Sequence, residues 1–330
     1  MQRNLSQAMA VWGTSLAAVF SIMSAPALAQ APAYPQQTIK LIVPFTPGTG
    51  MDTIARAVSP KLSERLGQPV IVQNAPGASG NIGTDMVAKA KPDGYTVLVG
   101  ANTMLIASQL YKTTPFDPLK DFSSVALAAR GTLMLVANPK SGIKTLPDLI
   151  AAAKANPGAI NYGSPGVGTP HHMAMELLKT QEDISLLHVP YKGSAGYTTD
   201  LLGGQISVGF LPVHVAQSFV AAGKLNALAV GSAKRNPVAP DVPTISEAGG
   251  KPMDVDMWYA FLTPANTPEP IVKRLNTEID AIMNLPEIRE VLGKAGLVSD
   301  PSSPQELTKL MASDYPRWGN VIRKNNITAE

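Results

Sequence analysis

Two rhythms of apolar residues alternate along this chain. A largely apolar stretch, Thr38 to Val43, reads as a strand. After a turn rich in proline and glycine, Ile54, Val58, Leu62 and Leu66 recur every fourth residue, the period of an amphipathic helix. The succession repeats, with strands expected at 69–73, 95–100 and 125–137 and a helix at 82–90. A second series follows, with helices at 147–155, 170–179, 195–202 and 213–222, and strands at 160–162, 185–189, 205–210 and 225–230. One more strand, 255–262, precedes helices at 268–283, 286–295 and 304–324, each of which starts at or just after a proline. Alternating strands and helices predict parallel α/β sheets. Pro60, inside the first helix, predicts a kink there.

The joints between strand and helix carry the candidate chemistry. Leu41 to Asp52 reads L-I-V-P-F-T-P-G-T-G-M-D, a strand entering a helix through a glycine-rich turn. Such a turn leaves unpaired backbone N–H groups at the helix start, where the macrodipole favours an anion. Thr46 and Thr49 add hydroxyls beside Gly48 and Gly50. The same turn would equally serve as a plain tight connection. Similar joints recur at 74–83, with Ser79, at 100–103, with Asn102 and Thr103, and at 162–169, with Ser164, Gly166, Gly168 and Thr169. In open α/β sheets ligands lie outside the carboxyl ends of strands, where such loops converge, so a ligand held between two lobes is expected.

Composition narrows the classes. Arg3, an apolar run from Ala8 to Met23 and Ala27-Leu28-Ala29 predict a signal peptide over 1–29, cleaved near Ala29. That implies export, with a bacterial periplasm as the destination. The chain has 27 basic and 24 acidic residues; removing the leader with Arg3 leaves 26 against 24, a charge of +2. With no basic run, nucleic acid is not an expected partner. The absence of cysteine excludes disulfides, thiol nucleophiles and iron–sulfur clusters.

Enzyme signatures are incomplete. Gly166-Val167-Gly168 is followed by His171 where a dinucleotide fingerprint needs glycine, no P-loop occurs, and Ser164 lacks a G-x-S-x-G frame. His171 and His172 are adjacent, so they point in different directions on a helix and do not form an i, i+4 metal pair. One of them is expected to pack or cap, and at most one to reach a cleft. His214, after Phe210-Leu211-Pro212, lies at another joint that can face the cleft or solvent. No cofactor and no metal are expected.

Across Tyr34 to Lys324 the chain resembles the solute-binding proteins of tripartite tricarboxylate transporters, the Bug family. The resemblance is carried by Ile42-Val43-Pro44-Phe45 with Pro47-Gly48 and Asp52, Asn74-Ala75-Pro76-Gly77-Ala78 with Gly80-Asn81-Ile82-Gly83, and Lys91-Pro92-Asp93-Gly94-Tyr95-Thr96. Tyr162-Gly163-Ser164, Val189-Pro190-Tyr191-Lys192-Gly193 and Leu201-Leu202-Gly203-Gly204-Gln205 continue the series. It implies a two-lobed, type II periplasmic-binding-protein fold in which each lobe is a mixed or parallel sheet flanked by helices. Two hinge crossings, near 131–136 and 255–262, would divide the chain into a first lobe of 30–132 and 258–330 and a second of 133–257.

The resemblance further implies a non-enzymatic receptor, a monomer, that closes on a small organic carboxylate and hands it to a membrane permease. Thr46, Gly48, Thr49 and Gly50 would face Ser164, Gly166, Gly168 and Thr169 across the ligand, with Ser79, Asn102 and Thr103 as neighbours. Two departures stand out: Thr49 replaces a second glycine, and Leu211-Pro212 replaces a polar pair, with His214 just beyond. The second points to an apolar ligand body or to recognition by His214, hence to a dicarboxylate or an aromatic carboxylate. A periplasmic sensor feeding a kinase and a secreted α/β hydrolase are the alternatives.

Overall fold

The structure is a computed structural model that describes residues 34–191 and 194–328; the expected leader lies outside these residues. In chain order the first elements are β1 (Ile39–Val43), α1 (Gly50–Leu66), β2 (Val70–Asn74), α2 (Asn81–Ala88), β3 (Thr96–Ala101), α3 (Thr103–Leu110) and β4 (Phe122–Gly131). There follow β5 (Leu133–Ala137), α4 (Leu146–Ala155), β6 (Asn161–Ser164), α5 (Pro170–Glu182), β7 (Leu187–Pro190), α6 (Ser194–Gly203), β8 (Val208–Pro212), α7 (Val213–Ala221) and β9 (Asn226–Val230). The last are β10 (Met257–Pro264), α8 (Glu269–Met283), α9 (Pro286–Lys294), β11 (Leu297–Ser299) and α10 (Pro304–Lys324).

These elements form two sheets, in the orders β11-β4-β10-β3-β1-β2 and β7-β6-β8-β5-β9. Each is the centre of one lobe of an α/β fold. The sheets are mixed. β1 runs parallel to β2 and β3, and β6 to β7 and β8, while β10 is antiparallel to both neighbours and β5 is antiparallel to β8 and β9. β10 reads as a continuous apolar run because helices cover it on both faces; every residue from Trp258 to Pro264 is buried.

The single strand expected over 125–137 is two strands in two sheets. Gly131 pairs with Met257 in the first sheet, and two residues later Leu133 pairs with Pro212 in the second, so Thr132 is the crossing. The apolar run continues through the break because both strands are core strands. The chain returns just before β10, where the Val255 amide donates to the Gly231 carbonyl and the Gly231 amide to that of Leu133.

Helix α3 has no polar face, being buried at Met104, Leu105, Ile106, Ala107 and Leu110, so it leaves no helical period to read. Helix α1 runs unbroken through Pro60, whose exposed position lets water reach the carbonyl that the missing N–H leaves unpaired. Helix α10 lies across both lobes. Its first half places Leu307 and Met311 in a core with Trp258 and Leu262, and its second half places Trp318, Val321 and Ile322 among Met173, Leu178 and Val255.

Candidate ligand-binding site

The turn after β1 is organised from within by Asp52, which is only 4% exposed. Its Oδ2 accepts from the Gly48 amide at 3.0 Å and from Arg56 Nε at 2.9 Å, and its Oδ1 accepts from Asn74 Nδ2 at 3.0 Å. Burial opposes the charge, but the Arg56 guanidinium and the Gly48 and Asn74 amides outweigh it and hold the carboxyl below the usual range. Thr49 caps α1, its Oγ1 accepting from the Asp52 amide at 3.4 Å. The first-turn amides of Gly50 and Met51 have no partner within the helix, as the geometry of any helix start requires.

A second turn, after β6, ends in the same way with a different anchor. Thr169 caps α5, Pro170 brings no N–H, and His171 supplies the first free amide. His172 turns inward: its Nδ1 accepts from the Gly168 amide at 3.1 Å. The buried Ser164 Oγ lies 2.7 Å from His188 Nε2 and accepts from the Gly166 amide at 3.2 Å. The rings of His172 and His188 stack with centroids 4.1 Å apart, and His188 stacks in turn on Tyr162 at 4.7 Å. Beneath them the Tyr162 hydroxyl donates to Glu176, which also accepts from Lys179 Nζ at 2.6 Å. Burial, reinforced by the charge of Lys179, pushes His172 down to about 4; burial, with His172 and Lys179, pushes His188 down to about 3. Both rings are therefore neutral near pH 7.

Between the two turns lies a cavity of about 570 Å³ whose walls come from both lobes. Thr46, Gly48, Thr49, Gly50, Asn102, Thr103, Thr169 and His214 line it. Ser79 and Gly168 line a smaller hollow of about 120 Å³ beside it, and Ser164 and Gly166 line neither. The polar groups of those last two bind each other and His188, so they shape the turn from behind. Among the described residues no Asp, Glu, Lys or Arg lines the large cavity, and no group of three side chains could hold a metal.

The sequence left open which of the two adjacent histidines reaches the cleft, and it did not single out Tyr259. His171 reaches the cavity while its neighbour His172 packs inward, since successive residues on a helix point about 100° apart. Tyr259 comes from β10 and stands against the first turn of α1, so that a Cβ at Gly50 would lie 2.7 Å from its hydroxyl. Burial pushes the phenol pKa up and keeps the hydroxyl a donor. Period-two alternation along the β10 segment was the one available hint, and the continuous apolar run masked it.

The profile of the family described as "Tripartite tricarboxylate transporter family receptor" matches residues 54–327.

The chain belongs to that family.

This receptor is 37% identical over 298 residues to a Pseudomonas protein named for the tcbD-tcbE intergenic region, covering 90% of this chain and 89% of the relative. It is 33% identical over 317 residues to Protein BugT of Bordetella pertussis, covering 94% and 97%. Among solved structures it is similar to an R. palustris protein solved with adipate, with TM-score 0.78, 33% identity and coverage of 90% and 99%. It is also similar to MatC from Rhodopseudomonas palustris with bound malate, with TM-score 0.75, 29% identity and coverage of 88% and 100%. The family is one of receptors, and this chain is a receptor rather than an enzyme. Its two-lobed architecture is that of periplasmic binding proteins.

Proposed function

We propose that the receptor captures a small organic carboxylate, a dicarboxylate or an aromatic carboxylate, in the interlobe cavity. It does so in the periplasm, after removal of residues 1–29, and delivers the ligand to the membrane permease of a tripartite tricarboxylate transporter. The observation that carries this reading is the pair of Thr-capped helix starts, α1 and α5, facing one cavity from different lobes with no charged side chain on its wall among the described residues. An anion entering such a cavity loses its water, and that loss is offset only by several aligned donors. The Gly50 and Met51 amides, the Thr49 and Tyr259 hydroxyls and the His171 amide are such donors. Adipate and malate, bound by similar proteins, are acids of this kind.

Capture follows from differential affinity. Donors from the two lobes converge on one ligand only when the lobes are closed, so the ligand shifts the hinge equilibrium towards the closed form. The lobes are taken as 30–132 with 258–330, and 133–257. Mass spectrometry of whatever co-purifies with the exported protein, followed by thermal-shift screening against a panel of carboxylates, tests the reading. Stabilisation by dicarboxylates or aromatic acids is expected. Stabilisation by citrate-type acids alone would remove the preference for an apolar ligand body, and no response to any acid would remove the whole proposal.

A further inference from the structure

We propose that His171 and His214 form a second, uncharged pole of the cavity that holds the far carboxylate of a dicarboxylate, and that this pair sets the specificity of the receptor. The inference rests on the carboxylate reading above. Both imidazoles belong to the second lobe, His171 in the first turn of α5 and His214 in the first turn of α7, and both line the cavity. In each ring Nδ1 is enclosed and has no hydrogen-bond partner among the described residues, which leaves Nε2 as the nitrogen able to meet a ligand. For His214 the enclosure has a visible cause. Gly296, from the first lobe, lies so close to Nδ1 that a methyl group there would collide with the ring. His171 is held edge-on against Tyr197 of α6, with ring centroids 6.4 Å apart.

The enclosed nitrogen decides the tautomer. A buried N–H without an acceptor is rarer and costlier than a buried lone pair, so the proton resides on Nε2. Each ring then offers an N–H donor to the cavity. The phenol of Tyr197 packs on His171, its hydroxyl donating to the Phe210 carbonyl at 2.7 Å, and among the described residues no charged side chain lines the cavity. Burial lowers the pKa of both rings, that of His171 to about 4, so they serve as neutral donors near pH 7.

The two poles stand on opposite lobes. The α1 first turn and the Tyr259 hydroxyl take one carboxylate, and the two imidazoles take the other, so a dicarboxylate bridges the lobes. A monocarboxylate of equal length would set a methyl group against two N–H donors and leave them unsatisfied.

Titration calorimetry of the exported chain at neutral pH tests this, using straight-chain dicarboxylates from succinate to suberate, each paired with the monocarboxylate of the same length. The best dicarboxylate should bind about a hundredfold more tightly than its partner, the equivalent of two hydrogen bonds to a charged group. His214→Leu and His171→Leu should each weaken the dicarboxylate about tenfold and leave the monocarboxylate unchanged. His214→Gln, which keeps an N–H donor, should recover part of the loss. Equal affinities within the wild-type pairs would overturn the proposal without any variant having to fold. A parallel loss for both members of a pair, with the melting temperature preserved, would do the same by reducing the histidines to packing. Binding of monocarboxylates alone would sink this proposal and leave the carboxylate reading standing, whereas silence from every acid would sink both.

Discussion

The turns after β1 and β6 reach one geometry by opposite electrostatics. Each is glycine-rich, each ends in a threonine cap, at Thr49 or Thr169, and each aims a helix start at the same cavity. Behind the first stands a buried carboxylate that stays charged because Arg56 and two amides hold it. Behind the second stand two stacked, neutral imidazoles above a Tyr162–Glu176–Lys179 cluster. A buried anion tolerates mild acid as long as its partners keep its pKa low. A buried neutral histidine does not, because the unfolded chain takes up protons that the folded chain refuses. The two lobes should therefore fail in different ways.

The largest effect is expected from Asp52→Ala, which strands the Gly48 and Asn74 amides together and frees Arg56. It should cost about 3 kcal/mol in denaturant unfolding and weaken ligand binding by more than tenfold. A loss no larger than that of an exposed aspartate would erase the first half of the comparison.

Acid is the next lever. His172 and His188 are protonated near 6.5 when unfolded but only near 4 and 3 when folded, so their stabilisation is complete above pH 6.5 and is lost as pH falls from 6.5 towards 4. The stability difference between wild type and His172→Leu should therefore fall by about 3 kcal/mol across that window, whereas Asp256, whose carboxyl burial pushes up to about 7, opposes the fall in both proteins alike. A difference between the two proteins that does not change with pH would show that the imidazole anchor does not matter to folding.

Smaller still is the interlobe contact. Gly296→Ala drives a methyl group into the His214 ring and should weaken ligand binding about tenfold; because Gly296 has a left-handed φ of +69°, it should also cost about 1–2 kcal/mol of stability. An unchanged dissociation constant would mean that the two lobes do not need this approach.

The smallest pair compares the caps directly. Thr49→Val and Thr169→Val each remove one helix cap and should each cost about 1 kcal/mol of stability. Thr169→Val should be the worse of the two, because its hydroxyl also donates to the Gly166 carbonyl at 2.7 Å. Equal costs would indicate that the second hydrogen bond contributes nothing net.

Local signals along the chain were enough for most elements. Fourfold spacing of Ile54, Val58, Leu62 and Leu66 marks the buried face of α1, and proline opens α5, α9 and α10 as a residue without an N–H can. The glycine-rich joints also marked Thr46, Gly48, Thr49, Gly50, Asn102, Thr103 and Thr169, which line the cavity, but not the walls that β10 and residues 295–297 supply. What a single residue does at such a joint was not written there. Gly48, Gly166 and Gly168 read as amide donors for a ligand, yet their N–H groups are engaged by Asp52, Ser164 and His172. Those partners are side chains whose direction depends on packing.

Period and capping are properties of a few neighbouring residues, and so the sequence by itself determined most of the alternation of strands and helices and the starts of α1, α5 and α7 at the cavity. Only the tertiary structure decided that the apolar run 125–137 splits at Thr132 between two sheets, that His171 rather than His172 meets the cavity, and that Tyr259 stands beside Gly50. Each of these depends on contacts between segments far apart in the chain, and hydrophobicity, which has no direction, does not say which buried surface will meet which.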